Sequence, residues 1–513
     1  MERSYFERRF RGLFQVSAVR IALALAAAAA IGIAVALARP ILGQYWWLAF
    51  IFAGGLAILP IVVRQPARWL FVILALSLPF SARFRITSQA LHAGGAEAAI
   101  APLDFALLAL FVLYVLEDLR RGKLRFYNGP VERRLLLFGF VGLLTAFNAA
   151  DASFVLYEVL RILRMIALIY CIRRFVRGPE EVRLVVYLLA FNVVTQSLMG
   201  LAQLALGRSL GLGFLGEADI LWLDYSVEGG VSRVGGTLGH ANSLAMFLEM
   251  LLPLFFSLAV ARDTGLSTRQ RLLAVSVFVL GLAALLMTYS RSSWISLFVA
   301  LALVLIYHFR HLRFSTRQLV VLAAGGFASL AALVVFWEPI YRRLTASSAL
   351  SFSFRANLNA IATNMVEAHP WLGVGLNNFV LVMPDYDHVG LSRWRVAPAH
   401  NIYFLTVAET GILGLLAFLW LLLGVFAEGW RALKSKDPLL AACAAGLLAG
   451  LAATLVHGLL GWGWRYDVLH VTFWFLAGCV LSLNTLSARP AAADDPALSG
   501  AAPAPGRLGE VPS

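Results

Sequence analysis

The sequence predicts an all-α polytopic membrane protein of about 12 to 14 transmembrane helices with one large loop on the outer side, and three observations carry that prediction. Of 513 residues, 60% are hydrophobic and 14% charged, against about half apolar and roughly a quarter charged in soluble domains. The mean hydropathy of +0.80 comes from many apolar stretches that reach the about 20 residues needed to cross a bilayer. Arginine and lysine, finally, collect in alternate connections, as cytoplasmic loops do.

A spanning-length window gives fourteen candidate helices, at about 19–38, 41–63, 68–80, 101–117, 134–148, 154–172, 183–206, 240–261, 272–289, 292–309, 318–337, 401–427, 438–460 and 466–485. The third and fifth are short. The first reads as an anchor and not as a cleaved signal peptide, because its apolar stretch from Ile21 is too long and a second span follows at once. With the N-terminus inside, the inner connections carry Arg3, Arg8, Arg9 and Arg11, then Arg64 and Arg68, then the group from Arg120 to Arg134. Arg173 to Arg183, Arg262 to Arg271, Arg310 to Arg317 and Arg431 to Lys436 continue the series. The outer set holds 148–153 without a cation, 207–239 with four acids and two arginines, and a loop from Glu338 to Ala399. The phase never breaks, so the number of spans is even and both ends are cytoplasmic; twelve and fourteen both fit.

The chain then divides into an N-terminal helix bundle (1–337), the outer loop with an amphipathic helix (338–400), C-terminal helices (401–488) and a disordered cytoplasmic tail (489–513) rich in Ala, Pro, Gly and Asp. The net charge of +14 belongs to the inner loops, with the bilayer as partner and no nucleic acid implied. Cys171, Cys443 and Cys479 all lie in apolar runs, which removes disulfide frameworks and CxxC metal sites. No internal repeat is evident.

Several polar groups are oddly placed for structural loops. The outer loop is about 60 residues, longer than ordinary connections. From Phe352 to Met365 its apolar or small residues fall at 354, 358, 361, 362 and 365, the spacing of a helix lying at a membrane surface. Pro370-Trp371-Leu372-Gly373-Val374-Gly375 follows as a turn, and the loop ends in Pro398-Ala399-His400-Asn401. His400 is either a capping or interfacial residue or, at the membrane boundary, a base for a hydroxyl group. Asn401 could orient it or cap the next helix. Glu409, nine residues on, falls on the opposite face and suits a packing role.

Arg233, in Ser232-Arg233-Val234-Gly235-Gly236-Thr237, and Arg291, in Thr288-Tyr289-Ser290-Arg291, are outer cations flanked by small residues. Each could snorkel to lipid phosphates or bind a phosphate in bidentate fashion. Arg355 on the loop helix is a third candidate; Arg342, Arg343, Arg393 and Arg395 are less specific. Glu158, Arg161 and Arg164 share a face within a span, and charge there faces protein or an aqueous cavity. They form an ion pair, or else Arg161 lines a cavity that receives an anionic head group. Asp385, Asp387 and His388 could ligate a metal but read as solvated surface.

His400-Asn401, nine residues, then Gly411-Ile412-Leu413-Gly414 resembles the motif of the O-antigen ligase and polymerase superfamily. Arg233 to Thr237 with Asn242, Thr288 to Arg291, and His369 to Gly375 are similar to its other recurring segments, in its order. The resemblance implies a multi-helix enzyme of GT-C-related architecture in the bacterial inner membrane, whose periplasmic loop covers an outward cavity. It implies transfer of a glycan from undecaprenyl diphosphate to an acceptor hydroxyl, with no metal ion and no cofactor. By matching position His400 would be the general base, and Arg233, Arg291 and Arg355 would contact the donor diphosphate, with Arg161 and Asn401 as further candidates for substrate binding. The expected reaction is O-antigen ligation to lipid A core, inverting at the anomeric carbon. Polymerisation of a second lipid-linked glycan, glycosylation of protein hydroxyls and non-catalytic transport are the alternatives.

Overall fold

The computed structural model describes residues 54, 65–82, 84–85, 99–122, 129–218, 222–224, 231–309, 349–394 and 396–488. The spans expected at 19–38, 41–63 and 318–337, the tail, and Arg342, Arg343 and Arg395 lie outside the described residues.

The described chain is a helical bundle. Its helices in chain order are α1 (Pro66–Leu76), α2 (Pro102–Arg120), α3 (Pro130–Leu144), α4 (Ala152–Phe175), α5 (Pro179–Leu206), α6 (Ala241–Val260) and α7 (Thr268–Met287). They continue with α8 (Arg291–Phe309), α9 (Ala349–Ala368), α10 (Phe379–Tyr386), α11 (Ile402–Ala432), α12 (Pro438–Gly458) and α13 (Asp467–Ser487). The apolar runs fall where these helices are, but the helices overrun several of them. α5 begins at Pro179 with Glu180 and Glu181 in its first turn, since charge at a helix start suits the helix dipole although it is excluded from an apolar window. Seven helices are long and apolar enough to cross a membrane among the described residues: α5, α6, α7, α8, α11, α12 and α13.

Two short antiparallel pairs interrupt the helices: β1 (Phe84–Arg85) with β2 (Ala99–Ile100), and β3 (Trp222–Asp224) with β4 (Val231–Arg233). The second places Arg233 opposite Trp222. Most of the bundle shares one buried apolar cluster. At its centre α6 meets α12 through Gly446 and Gly450, four residues apart, where a Cβ would come within 2.4 Å of Leu254 Cα and 2.0 Å of the Met250 carbonyl oxygen. Only glycine permits that approach, as in small-residue contacts between membrane helices. The loop helix α9 has its apolar stripe on the expected positions. Leu358, Ile361, Ala362 and Met365 are buried in the protein core, with α9 packed on α10 and α11, so that stripe is covered by protein and not laid on lipid.

Candidate functional site

Arg233 is placed by a loop that α5 holds from beneath. Gln203 accepts from the backbone N–H groups of Gly235 (3.1 Å) and Gly236 (2.9 Å), while Gln196 accepts from the Thr237 N–H (3.0 Å) and donates to its hydroxyl (2.8 Å). The two glutamines, seven residues apart, lie on one face of the helix. Gly236 has φ +55, and a Cβ there would sit 2.5 Å from Gln196, which accounts for the glycine. Thus anchored, Arg233 donates from Nε to the Thr288 carbonyl (2.8 Å) and from Nη2 to Asn242 (2.6 Å). The start of α6 and the turn after α7, 55 residues on from Arg233, therefore meet at one guanidinium. His240 caps α6 and accepts from the Asn242 N–H through Nδ1 (3.0 Å). Burial and the neighbouring Arg233 charge push its imidazole down to about 4, so it stands neutral at physiological pH.

The Thr288–Ser290 turn bends through Tyr289 at φ 52, a conformation few non-glycine residues adopt and often a mark of functional sites. It delivers Arg291 to the start of α8. Behind it, Ser290 donates to Ser293 (3.2 Å), and Ser293 Oγ lies 3.3 Å from Nδ1 of His457 on α12.

His400 sits between two rings, Phe354 of α9 at 5.7 Å and Trp462 at 6.3 Å between centroids, both edge-on. Arg355 is the next residue after Phe354 on that helix. Nδ1 of His400 lies 3.1 Å from the Pro398 carbonyl. A carbonyl only accepts, so Nδ1 carries a proton, and in the neutral ring Nε2 holds the lone pair. Asn401, expected as a substrate contact, commits its amide elsewhere. Its oxygen caps α11 by accepting from Tyr403 (2.9 Å) and Phe404 (3.2 Å), and its nitrogen donates to the Leu459 carbonyl (3.1 Å). The cap supplies acceptors for otherwise unpaired N–H groups.

The motif glycines have a backbone explanation. α11 is broken at Gly411, with φ 65 and ψ −172, and the segment 370–375 crosses the break. Val374 donates to the Ala408 carbonyl (2.9 Å), Gly375 to that of Glu409 (3.0 Å), and Ile412 to that of Pro370 (2.8 Å). Groups orphaned by the break are thus satisfied by the crossing turn. A Cβ at Gly411 would lie 2.2 Å from Trp371 carbonyl atoms, one at Gly373 2.4 Å from Glu409 C, and one at Gly414 2.0 Å from the Thr410 hydroxyl.

Arg161 is placed in a buried charge network. It donates to Glu158 (2.7 Å), to Asp467 (3.3 Å) and to the Arg465 carbonyl (3.3 Å), and it lies 3.1 Å from His470. With 3% of its surface exposed, it holds α4 against α13, and of the two expectations for it the geometry is that of the ion pair. Arg164 bridges Asp104 and Asp467, and Arg465 joins Glu409 (2.6 Å) to Glu158 (3.5 Å). Glu409 thereby ties the broken helix to the 463–465 turn. Between α10 and α11, Asp387 accepts from the Val389 (3.0 Å) and Ser392 (2.5 Å) N–H groups, and His388 lies 3.4 Å from Asn364. Among the described residues no three His, Cys, Asp or Glu side chains gather as a metal would need.

The structure thus links Arg233, the Arg291 turn, His457, Leu459, Asn401 and His400 in one chain of contacts. Comparison with known proteins bears on the same stretch. Residues 276–419 match the O-antigen ligase family model. The matched segment contains the Arg291 turn, α9, the 370–375 crossing, His400 and the first half of the broken helix; Arg233 lies before it. An O-antigen ligase of Pseudomonas aeruginosa is 31% identical over 146 residues, 28% of this chain and 32% of that protein. The chain spans about a third of the length of that curated relative. Sequence reasoning singled out none of Gln196, Gln203, Glu249, His457, Trp462 and Arg465 as site residues. The available signals were two glutamines at helical spacing in a largely apolar helix and, in Glu249, an acid within a span.

Proposed function

We propose that this protein transfers a glycan from undecaprenyl diphosphate to an acceptor hydroxyl at the periplasmic face of the bacterial inner membrane, as an O-antigen ligase acting on lipid A core. The observation that carries the reading is the His400 environment. Its Nδ1–H is held by Pro398, which orients Nε2 as a base, and its neighbours trace back through Asn401 and His457 to the arginine-bearing turns. In this reading the acceptor hydroxyl attacks the anomeric carbon and gives its proton to His400 Nε2. The bond from that carbon to the diphosphate breaks, inverting the centre. Undecaprenyl diphosphate leaves with charge stabilised by Arg233, Arg291 and Arg355. Such preorganised donors at a departing charge contribute several kcal/mol, and a positioned base adds about 10²–10⁴-fold in rate. Arg161 and Asn401 support the site by fixing its frame.

The test is product formation by the purified chain in detergent, without any ion gradient, from a polyprenyl-diphosphate glycan. Lipid A core, a second lipid-linked glycan and a Ser/Thr peptide are offered in parallel. Transfer to lipid A core supports ligation. Transfer only to the glycan or the peptide replaces it by polymerisation or protein glycosylation. Donor binding with no product for any acceptor overturns the enzymatic reading in favour of transport.

A further inference from the structure

A buried pair that the proposed reaction leaves unused stands between the two halves of the site. Glu249 on α6 has no exposed surface, and each of its carboxylate oxygens lies 3.0 Å from Nδ1 of His457 on α12. Ser293 and Ser290 extend the contact to the residue before Arg291. A carboxylate taken this far from water is costly unless it is hydrogen-bonded, and helix packing alone needs no such group. A hydrogen-bonded pair differs from apolar packing in being directional. With Nδ1–H turned to Glu249, the other side of the ring lies against the loop that follows α12: a Cβ on Gly461 would meet His457 Nε2 at 3.3 Å. That loop holds the Asn401 amide through the Leu459 carbonyl and places Trp462 beside His400.

We propose that Glu249 and His457 are positioning residues for the transfer, fixing the turn of Arg291 on one side of the imidazole and the Leu459–Trp462 loop beside His400 on the other. The inference rests on the roles assigned above to Arg291 and His400. Small displacements matter in such a site, since an error of about 1 Å can cost roughly 10²-fold in rate.

The test uses the full chain in detergent with the polyprenyl-diphosphate glycan donor, comparing Glu249→Met, Glu249→Gln, His457→Leu and His457→Asn, each alone and with Arg291→Ala. Gln keeps an oxygen that can accept from Nδ1–H, and Asn can present an amide N–H near the place of Nδ1. Glu249→Met and His457→Leu should raise the donor KM and lower kcat by about tenfold, a size typical of coupled neighbours, and Glu249→Gln and His457→Asn should recover most of both. In the Arg291→Ala background the same changes should add little further to the donor KM. Wild-type kinetics in Glu249→Met, or KM effects that multiply in full with Arg291→Ala, overturn the proposal. Because Met is close to Glu in size and suits a buried position, Glu249→Met decides the matter even where His457→Leu fails to fold. An Arg291→Ala variant with unchanged donor KM instead refutes the diphosphate assignment itself, and this inference with it.

Discussion

Replacing Gly411 by Ala tests why the motif ends in Gly-x-x-Gly. The residue holds φ 65 and ψ −172, a region that side chains other than glycine enter at a cost of about 1–3 kcal/mol. The added Cβ would also stand 2.2 Å from Trp371 carbonyl C and O, backbone atoms that cannot swing away as a side chain could. The 370–375 turn must then lift, loosening three backbone hydrogen bonds that are each worth about 0.5–1.5 kcal/mol net. Together these give a destabilisation of about 3–7 kcal/mol, large for any single substitution. The assay is thermal unfolding of the purified chain in detergent, with Leu413→Ala, an exposed neighbour, as control. Gly411→Ala should lower the unfolding temperature by many degrees and expose the 370–375 segment to protease, while the control changes little. A Gly411→Ala protein that unfolds with the wild type would refute the crossing-turn explanation.

Three further outcomes follow from the same geometry. Arg465→Met strands Glu409 and should cost about 3–5 kcal/mol, whereas Arg465→Met with Glu409→Met should cost less than the single change, read by detergent unfolding of the single and double variants. Asn401→Ala should cost about 1 kcal/mol through loss of the α11 cap; Asn401→Asp, which keeps the accepting oxygen, should restore most of it, and equal unfolding temperatures for all three would remove the capping role. Burial raises the Asp387 carboxyl, but N–H groups of Ser392, Val389 and Gly390 outweigh it and hold the group below the ordinary carboxylate value. Its folded-state pKa is depressed, so its stabilisation is present above the ordinary value and disappears as pH falls through the lowered one. The gap in unfolding temperature between wild type and Asp387→Asn should therefore be full near neutrality and close in acid.

The helices were legible because bilayer spans are written in runs of apolar residues, and the apolar runs within the described chain fall on α1 to α8 and α11 to α13, seven of them long and apolar enough to cross a membrane. Helix ends were less so, since Glu180 and Glu181 belong to α5 yet fall outside any apolar window. The loop helix was readable from its stripe, but periodicity reports an apolar face without naming what covers it, and here protein covers Leu358 to Met365. In the site, His400, Arg233 and Arg291 stood out as polar groups at apolar boundaries. Asn401 stood out for the same reason and Arg161 as a charge within a span, although their partners, Leu459, Asp467 and His470, are far off in sequence. Glu249 and His457 illustrate the limit: among Asp, Glu, His, Lys and Arg each stands alone in its helix, they are 208 positions apart, and only folding makes them a pair.

The central claim is that His400 takes the acceptor proton, and its most direct test is single-turnover transfer by His400→Ala with donor binding measured on the same preparation. The account predicts donor affinity within about twofold of wild type and a transfer rate lower by about 10²–10⁴-fold, the range for loss of a positioned base. Transfer at the wild-type rate by a variant that binds donor normally would contradict it.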